Sequence, residues 1–570
     1  MKMDTDIIVI ILTFVLTVLL AIPLGKYISG VFKGEKTLLD FLTPFEKWIF
    51  RISGINAEEE MNWKQNLKAM ITINMIWFVW AILVLMLQDH LFLNPDKIPG
   101  MSLSQAFNTA VSFMTNTNLQ HYSGETGASY LSQLFVMCFL QFVSAGTGIA
   151  AAAILFKGLA GKSGSDIGNF YVLLIRSCTR ILLPLAIIFG LFLLFNGTPS
   201  TLEGAQEVIK LQGDTEKVAG GPVTPLVSIK LLGTNGGGYF GTNSAHPFEN
   251  PNALTNIGGL ISLILIPIAM VFAMGYYLNK RKFAVIVFSV MTLGFILLAI
   301  PALHFEMQGN PEIDKMGISQ PQGNMEGKEI RFGSASSAIW GVETTCSSNG
   351  SVNSMIDSFM PISGLMLMLG MQLNAFFGGV GVGFINMFVF IILAIFISGL
   401  MAGRTPELFG KKIEGFEIRT ALLVGIMHPV LILGGTALAA YIWTETPDPN
   451  ETLKWLNNPS YHGFSEMFYE FTSSAANNGS GFEGLSDNTS FWNFGTGISM
   501  LLGRFIPIIG PIAIAGSLAI KKYTPESAGS LKTDSTIFGI VLFMTIIILG
   551  ALLFFPGLVL GPVAEYFSIN

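Results

Sequence analysis

The chain has 570 residues, of which 51% are hydrophobic and only 12% are charged, and its mean hydropathy is +0.59. This composition excludes an ordinary soluble multidomain protein and indicates an integral membrane protein. The formal net charge of −6 decides little, because the distribution of Lys and Arg between loops, rather than their sum, sets membrane orientation.

Apolar runs long enough to cross roughly 30 Å of hydrocarbon recur along the whole chain. The first run is preceded by Asp4 and Asp6 and lacks a basic region, so it is interpreted as a span and not as a signal peptide. Hydropathy predicts ten spans, and the seventh is long and broken. They are 7–29, 68–90, 130–156, 172–196, 255–279, 283–304, 356–402, 418–443, 492–520 and 535–562.

The basic residues are concentrated in alternate loops. Of the 31 Lys and Arg residues, 21 lie in the segments 26–68, 157–180, 280–282, 404–419 and 521–532. The positive-inside rule assigns these segments to the cytoplasm, so both termini are expected outside.

Four of the outer connections contain a weakly apolar segment of about ten residues, too short to span and better interpreted as a re-entrant half-helix. The segments are 104–114, 224–232, 334–344 and 465–475. Small polar residues follow each at once: "TNTNLQ", "TNGGGYF", "SSNGSV" and "NNGSGF". An even number of crossings separates the copies, so all four have the same orientation.

This pattern predicts an all-α membrane protein with four parallel span, half-helix, loop and span repeats around a pseudo-fourfold pore. The expected units are 1–67 (first span and cytoplasmic loop), 68–160, 161–280, 281–415 and 416–522 (the four repeats), and 523–570 (last span). Backbone carbonyls and Thr, Ser or Asn oxygens converging on one axis can replace the water shell of a large monovalent cation. Mg²⁺ or a transition metal would need carboxylates or imidazoles, which the loop cores lack. The alternative is four ordinary exposed glycine turns.

Four long strings carry a family resemblance: "TNTNLQHYSGETG", "LLGTNGGGYFGTNSAHPFENP", "SSAANNGSGFEGLS" and "MAGRTPELFGKKI". They resemble the KdpA family, the potassium-binding subunits of the bacterial Kdp potassium-transporting ATPase, over essentially the whole chain. The resemblance implies ten helices, a fold related to potassium channels and to Trk/Ktr/HKT transporters, and K⁺ as the bound ion. It also implies a subunit of the bacterial inner membrane that does not hydrolyse ATP and works with the P-type ATPase subunit KdpB, with KdpC and with the small KdpF. No nucleic-acid partner is expected.

The resemblance also assigns residues to a selectivity filter. The oxygen-bearing positions that it matches are Asn116, Thr234, Ser348 and Asn477. In the family's filter a glycine follows the oxygen-bearing position, and Gly236, Gly350 and Gly479 match it in three loops. In the first loop the corresponding residue is Gln120, which lies about two residues further along than the glycines of the other loops do. The remaining expected ion-site residues are Thr117, Asn118, Asn235, Asn349 and Asn478.

Two further features point to control of the ion path. Arg504 lies deep in the ninth span, where a buried charge is costly and functional by default, although snorkelling to an interface is the alternative. A guanidinium below a potassium filter would oppose free flow into the cytoplasm. Arg404, in the string "MAGRTPELFGKKI", is expected to share this gating or coupling role.

The seventh span is interrupted by "FFGGVGVGF". Its glycines Gly378, Gly379, Gly381 and Gly383 make a continuous helix improbable, at about 1 kcal/mol each, and the first three are expected to take part in gating. The resemblance implies a gating loop beneath the filter, and close helix packing through small residues is the alternative.

Other motifs are rejected. "AGKSG" around Lys162 lacks the first glycine of a phosphate loop. His246 and Glu249 are interpreted as part of a rigid outer turn rather than a metal site, and the six histidines show no paired ligand spacing. A passive or Trk/Ktr-like potassium channel remains the alternative function. A coupled symporter is disfavoured because the span interiors hold almost no acids.

Overall fold

The computed structural model describes residues 2–161, 164–401, 403, 405–458, 460–523 and 532–569, with side chains from residue 5. The helices of the first half are α1 (Lys2–Lys33), α2 (Thr43–Ile52), α3 (Trp63–Met86), α4 (Leu103–Met114), α5 (Gly124–Gly127), α6 (Phe139–Ala160), α7 (Phe170–Arg176), α8 (Leu183–Phe195), α9 (Val223–Leu232) and α10 (Ala253–Tyr277). Those of the second half are α11 (Arg281–Gln308), α12 (Pro311–Lys315), α13 (Gly333–Cys346), α14 (Pro361–Leu373), α15 (Val382–Met401), α16 (Gly415–Glu445), α17 (Pro449–Thr452), α18 (Tyr461–Ala476), α19 (Ser490–Ile520), α20 (Thr536–Leu558) and α21 (Ala564–Ile569).

Ten helical stretches in the described part of the chain are long and apolar enough to cross a membrane, as the sequence predicts. Three of them pass through a turn of π-helix, at Ser132–Cys138, Ser177–Leu182 and Val559–Val563. The second span begins earlier than expected, so the boundary expected at residue 68 falls inside α3. The cause is a capping box: Asn62 accepts from the amides of Lys64 and Gln65, and the side chain of Gln65 accepts from the amide of Asn62.

The four predicted half-helices are all present as α4, α9, α13 and α18. Each ends at the residue where its polar loop was expected to begin, or within two residues of it. α4 begins at a capping hydrogen bond from the Gln105 amide to the Ser102 hydroxyl. The four are almost entirely buried, which is the environment that a re-entrant segment needs if no backbone group is to face lipid.

The seventh span is broken where the glycines predicted. α14 ends at Leu373 and α15 begins at Val382. Between them Asn374, Phe377, Gly378 and Gly381 all have positive φ, which no α-helix accommodates.

Helix packing brings the four repeats onto one centre. α19 contacts α4, α6, α16 and α18, and α1 lies along α10, where Gly25 lets the backbones touch at Ala269. The middle of α6 is completely enclosed. Small residues on these helices allow the close approach, as is usual between helices in membranes.

Two short antiparallel hairpins were not predicted. β1 (Gln206–Ile209) pairs with β2 (Thr215–Val218), and all their residues are exposed. β3 (Glu407–Leu408) pairs with β4 (Lys411–Lys412) and packs against the helices, with Leu408 in the core and Lys411 donating to Gly158 O of α6 at 3.1 Å. Because both hairpins are short, the fold remains essentially all-α.

Candidate cation site

The four loops that follow the half-helices share one backbone conformation. Each has two residues with positive φ, separated by one residue. The pairs are Asn116 (65°) and Asn118 (56°), Thr234 (47°) and Gly236 (86°), Ser348 (47°) and Gly350 (88°), and Asn477 (54°) and Gly479 (100°). Four unrelated surface turns would not repeat this alternation, so the alternative of ordinary glycine turns loses its support.

The middle residue of each loop turns its amide back toward its own half-helix. Thr117 donates to Ser112 O, Asn235 to Lys230 O, Asn349 to Thr344 O and Asn478 to Ser473 O, each at 2.9 Å. In every case the acceptor lies five residues earlier in the chain. Because these amides are bonded to the helices, the carbonyl and side-chain oxygens of the loops remain as the groups that could bind a cation.

The loops close into a ring, which we call the loop ring (residues 116–118, 234–236, 348–350 and 477–479). A Cβ atom placed on Gly236 would collide with Asn349 O, one on Gly350 with Asn478 O, and one on Gly479 with Thr117 O. The circuit is completed where Gly237 packs against the Asn118 side chain. Each loop therefore touches the next around one axis, at distances that only glycine permits.

Asparagine side chains brace this ring from behind. Asn116 donates to Thr234 O at 2.8 Å, and its own oxygen accepts from Asn235 at 2.6 Å and from Ser144 at 2.9 Å. These bonds link the first and second loops to α6.

The other loops have equivalent braces. Asn349 donates to Leu231 O at 3.1 Å, Asn478 to Thr344 O at 2.8 Å, and Asn477 to the Thr117 hydroxyl at 2.9 Å. All four loops thus hydrogen-bond to a neighbour or to their own helix, and a ring held in this way resists collapse around an ion of the wrong size.

The structure corrects the expected alignment of the first loop. Asn118, and not Gln120, has the positive φ that glycine has at this position in the other three loops. Asparagine tolerates the left-handed region better than most residues, so no glycine is needed there. Gln120 lies two residues further on, partly exposed, and donates to Gly238 O at 3.1 Å.

A buried ion pair behind the second loop was missed by the sequence analysis. Lys230 on α9 and Glu249 are both fully buried and in direct contact, and Lys230 also donates to Asn243. Asn243 in turn donates to Gly236 O at 2.7 Å. The signal available was a lysine inside a half-helix followed by "NSAHPFENP", which places Glu249 in this pair while His246 stacks on Phe240.

The interrupted span lies directly beneath the ring. The Val380 amide donates to the Thr234 hydroxyl at 2.9 Å and the Gly378 amide to Cys346 O at 2.8 Å. Gly379 faces Thr234 and Ser348, and Gly381 packs on the backbone of α6 at Gly148. Of the three glycines expected at a gate, Gly379 lies next to two of the four loops, Gly378 is bonded to the end of α13, and Gly381 packs on α6.

Arg504 is 4% exposed and faces the same space. Its Nη2 donates to Ser144 O at 2.9 Å. It shares a small polar cavity with Asn116, Ser348 and Asn477 of the ring and with Asn374 and Gly379 of the break. Its guanidinium is buried among protein groups, whereas a snorkelling side chain keeps its charged end in water. Arg404 and Lys162 lie outside the described residues.

A buried histidine joins the first and fourth loops on their outer side. His121 Nδ1 lies 2.7 Å from the Asn493 oxygen, and Nε2 lies 3.1 Å from Glu470 and 3.9 Å from Asp487. Burial alone would lower the pKa of His121, but the charge of Asp487 and the hydrogen bond to Glu470 outweigh it and raise this pKa to about 9. At neutral pH the residue is an imidazolium that pairs with two acids.

Together these groups can hold a dehydrated cation and obstruct its onward path. The ring offers carbonyl, amide and hydroxyl oxygens at the C-terminal ends of four half-helices, where the helix dipole favours positive charge. Carbonyl rings of this kind replace the hydration shell of weakly hydrated ions. The guanidinium below repels such an ion.

Comparisons with known proteins agree with this geometry. Residues 11–567 match the family described as "KdpA: Potassium-transporting ATPase A subunit". Proteins of Flavobacterium psychrophilum and Flavobacterium johnsoniae, each named "Potassium-transporting ATPase potassium-binding subunit", are 58% and 59% identical over the full length of both chains. A protein of Geobacillus kaustophilus with the same name is 46% identical over 98% of each chain.

Among solved structures, the potassium transporter TrkH from Vibrio parahaemolyticus superposes with a TM-score of 0.51 at 13% identity, covering 89% of this chain and 97% of its own. At that identity the likeness concerns the fold, which is the channel-like arrangement that the repeats predict. The family match and the relatives extend over nearly the whole chain. The chain therefore belongs to the KdpA family of potassium-transporting ATPase A subunits.

Proposed function

We propose that the chain is the potassium-binding and translocating subunit of an ATP-driven uptake complex. In this proposal the loop ring selects K⁺ from the outer side. The observation that carries the proposal is the ring itself: four copies of one alternating backbone, closed in a circuit by glycine contacts and terminating four buried half-helices.

The oxygens of the ring support K⁺ over smaller or more highly charged ions. Every ring side chain is neutral, and the available ligands are carbonyl, hydroxyl and amide oxygens. Mg²⁺ and Ca²⁺ prefer carboxylate oxygens, and transition metals prefer imidazole or thiolate. A large monovalent ion has the lowest free-energy cost of dehydration, so a rigid set of neutral oxygens is enough to replace its hydration shell.

The cavity beneath the ring supports coupling to a pump rather than free conduction. In this proposal Arg504 and residues 374–381 block the path below the loop ring. An ion that passes the ring would meet the positive charge of Arg504 and the backbone of the interrupted span. The relatives are named as one subunit of a transporting ATPase, which supports partners that hydrolyse ATP. These would be the P-type subunit KdpB, with KdpC and KdpF.

The proposed location rests on the family and on the charge pattern. The family supports the bacterial inner membrane. The 21 of 31 basic residues in alternate loops support an orientation with both termini and the ring opening outside. The repeats 68–160, 161–280, 281–415 and 416–522 would each contribute one loop, with the first boundary moved to the start of α3.

A passive potassium channel is the second candidate, and the fold shared with TrkH favours it. Two measurements separate the candidates. Isothermal titration of the purified chain should give K⁺ binding that Na⁺ does not compete away. In liposomes the chain alone should pass little K⁺, whereas the complex isolated from native membranes should transport K⁺ only with ATP. Rapid flux through the isolated chain would favour the channel, and absence of K⁺ binding would overturn both.

A further inference from the structure

The outer segments of the third and fourth repeats and the end of the last span together form a cluster of four acids with few neighbouring cations. Asp357 follows the third loop, Glu466 lies on α18, Glu483 follows the fourth loop, and Glu565 lies on α21. In the described part of the chain the ion pairs of this cluster involve His462 alone. Four carboxylates therefore face at most one positive charge.

His462 is fully engaged and is not a free metal ligand. Its Nε2 lies 3.0 Å from Asp357 Oδ1 and its Nδ1 lies 2.8 Å from Glu565 Oε1. Both nitrogens donate to carboxylates, so the ring is an imidazolium that positions Asp357. The second oxygen of Asp357 points elsewhere.

The buried carboxylate of Glu466 gives a second, independent indication that a cation binds here. It is completely buried, its Oε1 accepts two long hydrogen bonds of 3.3 Å from Asn458, and its Oε2 has no hydrogen-bond partner. A buried carboxylate oxygen without a partner is costly unless a cation or proton meets it.

A glycine allows these two acids to lie close together. A Cβ placed on Gly484 would lie 2.5 Å from Glu466 Oε1 and 2.8 Å from Asp357 Oδ2. Both carboxylates therefore pack against Gly484, and a side chain at this position would push them apart. Ligand atoms of Asp357, His462 and Glu466 all lie within 4.8 Å of one another.

We propose that this cradle, formed by Asp357 and Glu466 over Gly484 with Glu483 beside it, binds a hard divalent cation of the Ca²⁺ class. Asp357 and Glu466 would supply carboxylate oxygens from two separate segments, and Glu483 lies beside them because its Oε2 accepts from the Asp357 amide at 3.1 Å. Such a set, with water completing the shell, suits the flexible coordination of Ca²⁺ better than the rigid octahedron of Mg²⁺. Zn²⁺ would need an imidazole nitrogen that His462 has already committed.

Such an ion would stabilise the loop ring from its outer side. Gly484 follows Gly479 of the fourth loop by five positions, and Asp357 follows Gly350 of the third loop by seven. One cation would then join both segments to α18. Its effect on K⁺ selection rests on the proposed function, but Ca²⁺ binding itself does not.

The test uses the full chain, stripped with a chelator, in thermal unfolding and isothermal titration with Ca²⁺, Mg²⁺ and Zn²⁺. Millimolar Ca²⁺ should raise the Tm by several degrees, because a ligand that binds only the folded state stabilises it. Asp357→Asn and Glu466→Gln should weaken Ca²⁺ binding at least tenfold. Gly484→Ala should abolish it without removing any charge. Glu451→Gln, at an exposed acid on α17, is the control and should bind like the wild type.

Three results would overturn the proposal: no Ca²⁺ shift in the wild type, an equal shift in Gly484→Ala, or a shift with Zn²⁺ alone. If Glu466→Gln fails to fold, Gly484→Ala and Asp357→Asn still decide the matter. Because the readout is Ca²⁺ binding, a chain that binds Ca²⁺ but not K⁺ would contradict the proposed function and leave this inference standing.

Discussion

Replacing Gly236 by alanine tests whether the loop ring is a cation site. Gly236 has a φ of +86°, and an added Cβ would overlap the Asn349 carbonyl of the next loop. A left-handed backbone costs an L-residue about 1–2 kcal/mol, and overpacking adds about 1–3 kcal/mol. Relief of about 2–5 kcal/mol of strain requires a ring carbonyl to move away from the axis.

A displaced carbonyl should weaken K⁺ binding, and because 1.4 kcal/mol corresponds to a tenfold change, we expect a loss of about 30-fold or more. The assay is K⁺ titration of the purified variant, with the Tm measured beside it. Gly54→Ala is the matched control, since Gly54 has a φ of +66° but nothing within 4 Å of its added Cβ. It carries only the backbone cost, so its K⁺ affinity should be that of the wild type. Wild-type affinity in Gly236→Ala, or an equal loss in Gly54→Ala, would refute the reasoning.

Three other expectations can be checked directly. Arg504→Ala should open a K⁺ leak or uncouple K⁺ transport from ATP hydrolysis in the reconstituted complex. Arg504→Lys should restore only part of the coupling, because lysine lacks the planar guanidinium with its five donors. An alanine variant that neither leaks K⁺ nor loses coupling would contradict this. Cysteines introduced at Asp214 and Glu451 should react with an impermeant thiol reagent from outside and one at Lys412 should not, and reversed labelling would exclude the orientation. The pKa of His121 is raised to about 9, so the protonated histidine contributes its full stabilisation below its unfolded pKa and loses it as the pH rises through 9. The Tm should therefore fall between neutral pH and a pH above 9 in the wild type but not in His121→Gln.

The hydropathy pattern predicts the spans and half-helices because burial in lipid leaves few alternatives for an apolar run. The interruption at 374–381 is predicted for a similar reason, since several closely spaced glycines disfavour a helix. Local chemistry thus determines these elements, but their observed ends differ from the predicted ones by several residues, for example at Asn62, where the capping box starts α3 at Trp63.

The contacts between distant segments could not be predicted in this way. Lys230 and Glu249 are close in sequence. The pairing of His462 with Asp357 and Glu565, in contrast, joins residues about a hundred positions apart, so no local sequence pattern predicts it. The first loop was misaligned because Asn118 occupies a left-handed position without being glycine. A search for glycine therefore finds no match at this position of the first loop.

The loop ring is encoded by one chain rather than by four identical copies. A single mutation in its gene therefore alters one quadrant, whereas the same change in a homotetramer would alter four ligands at once. This explains how Asn118 can stand where the other loops have glycine, and how one quadrant alone can carry an interrupted span. Ion affinity can then be adjusted in small evolutionary steps, each changing a quarter of the coordination shell.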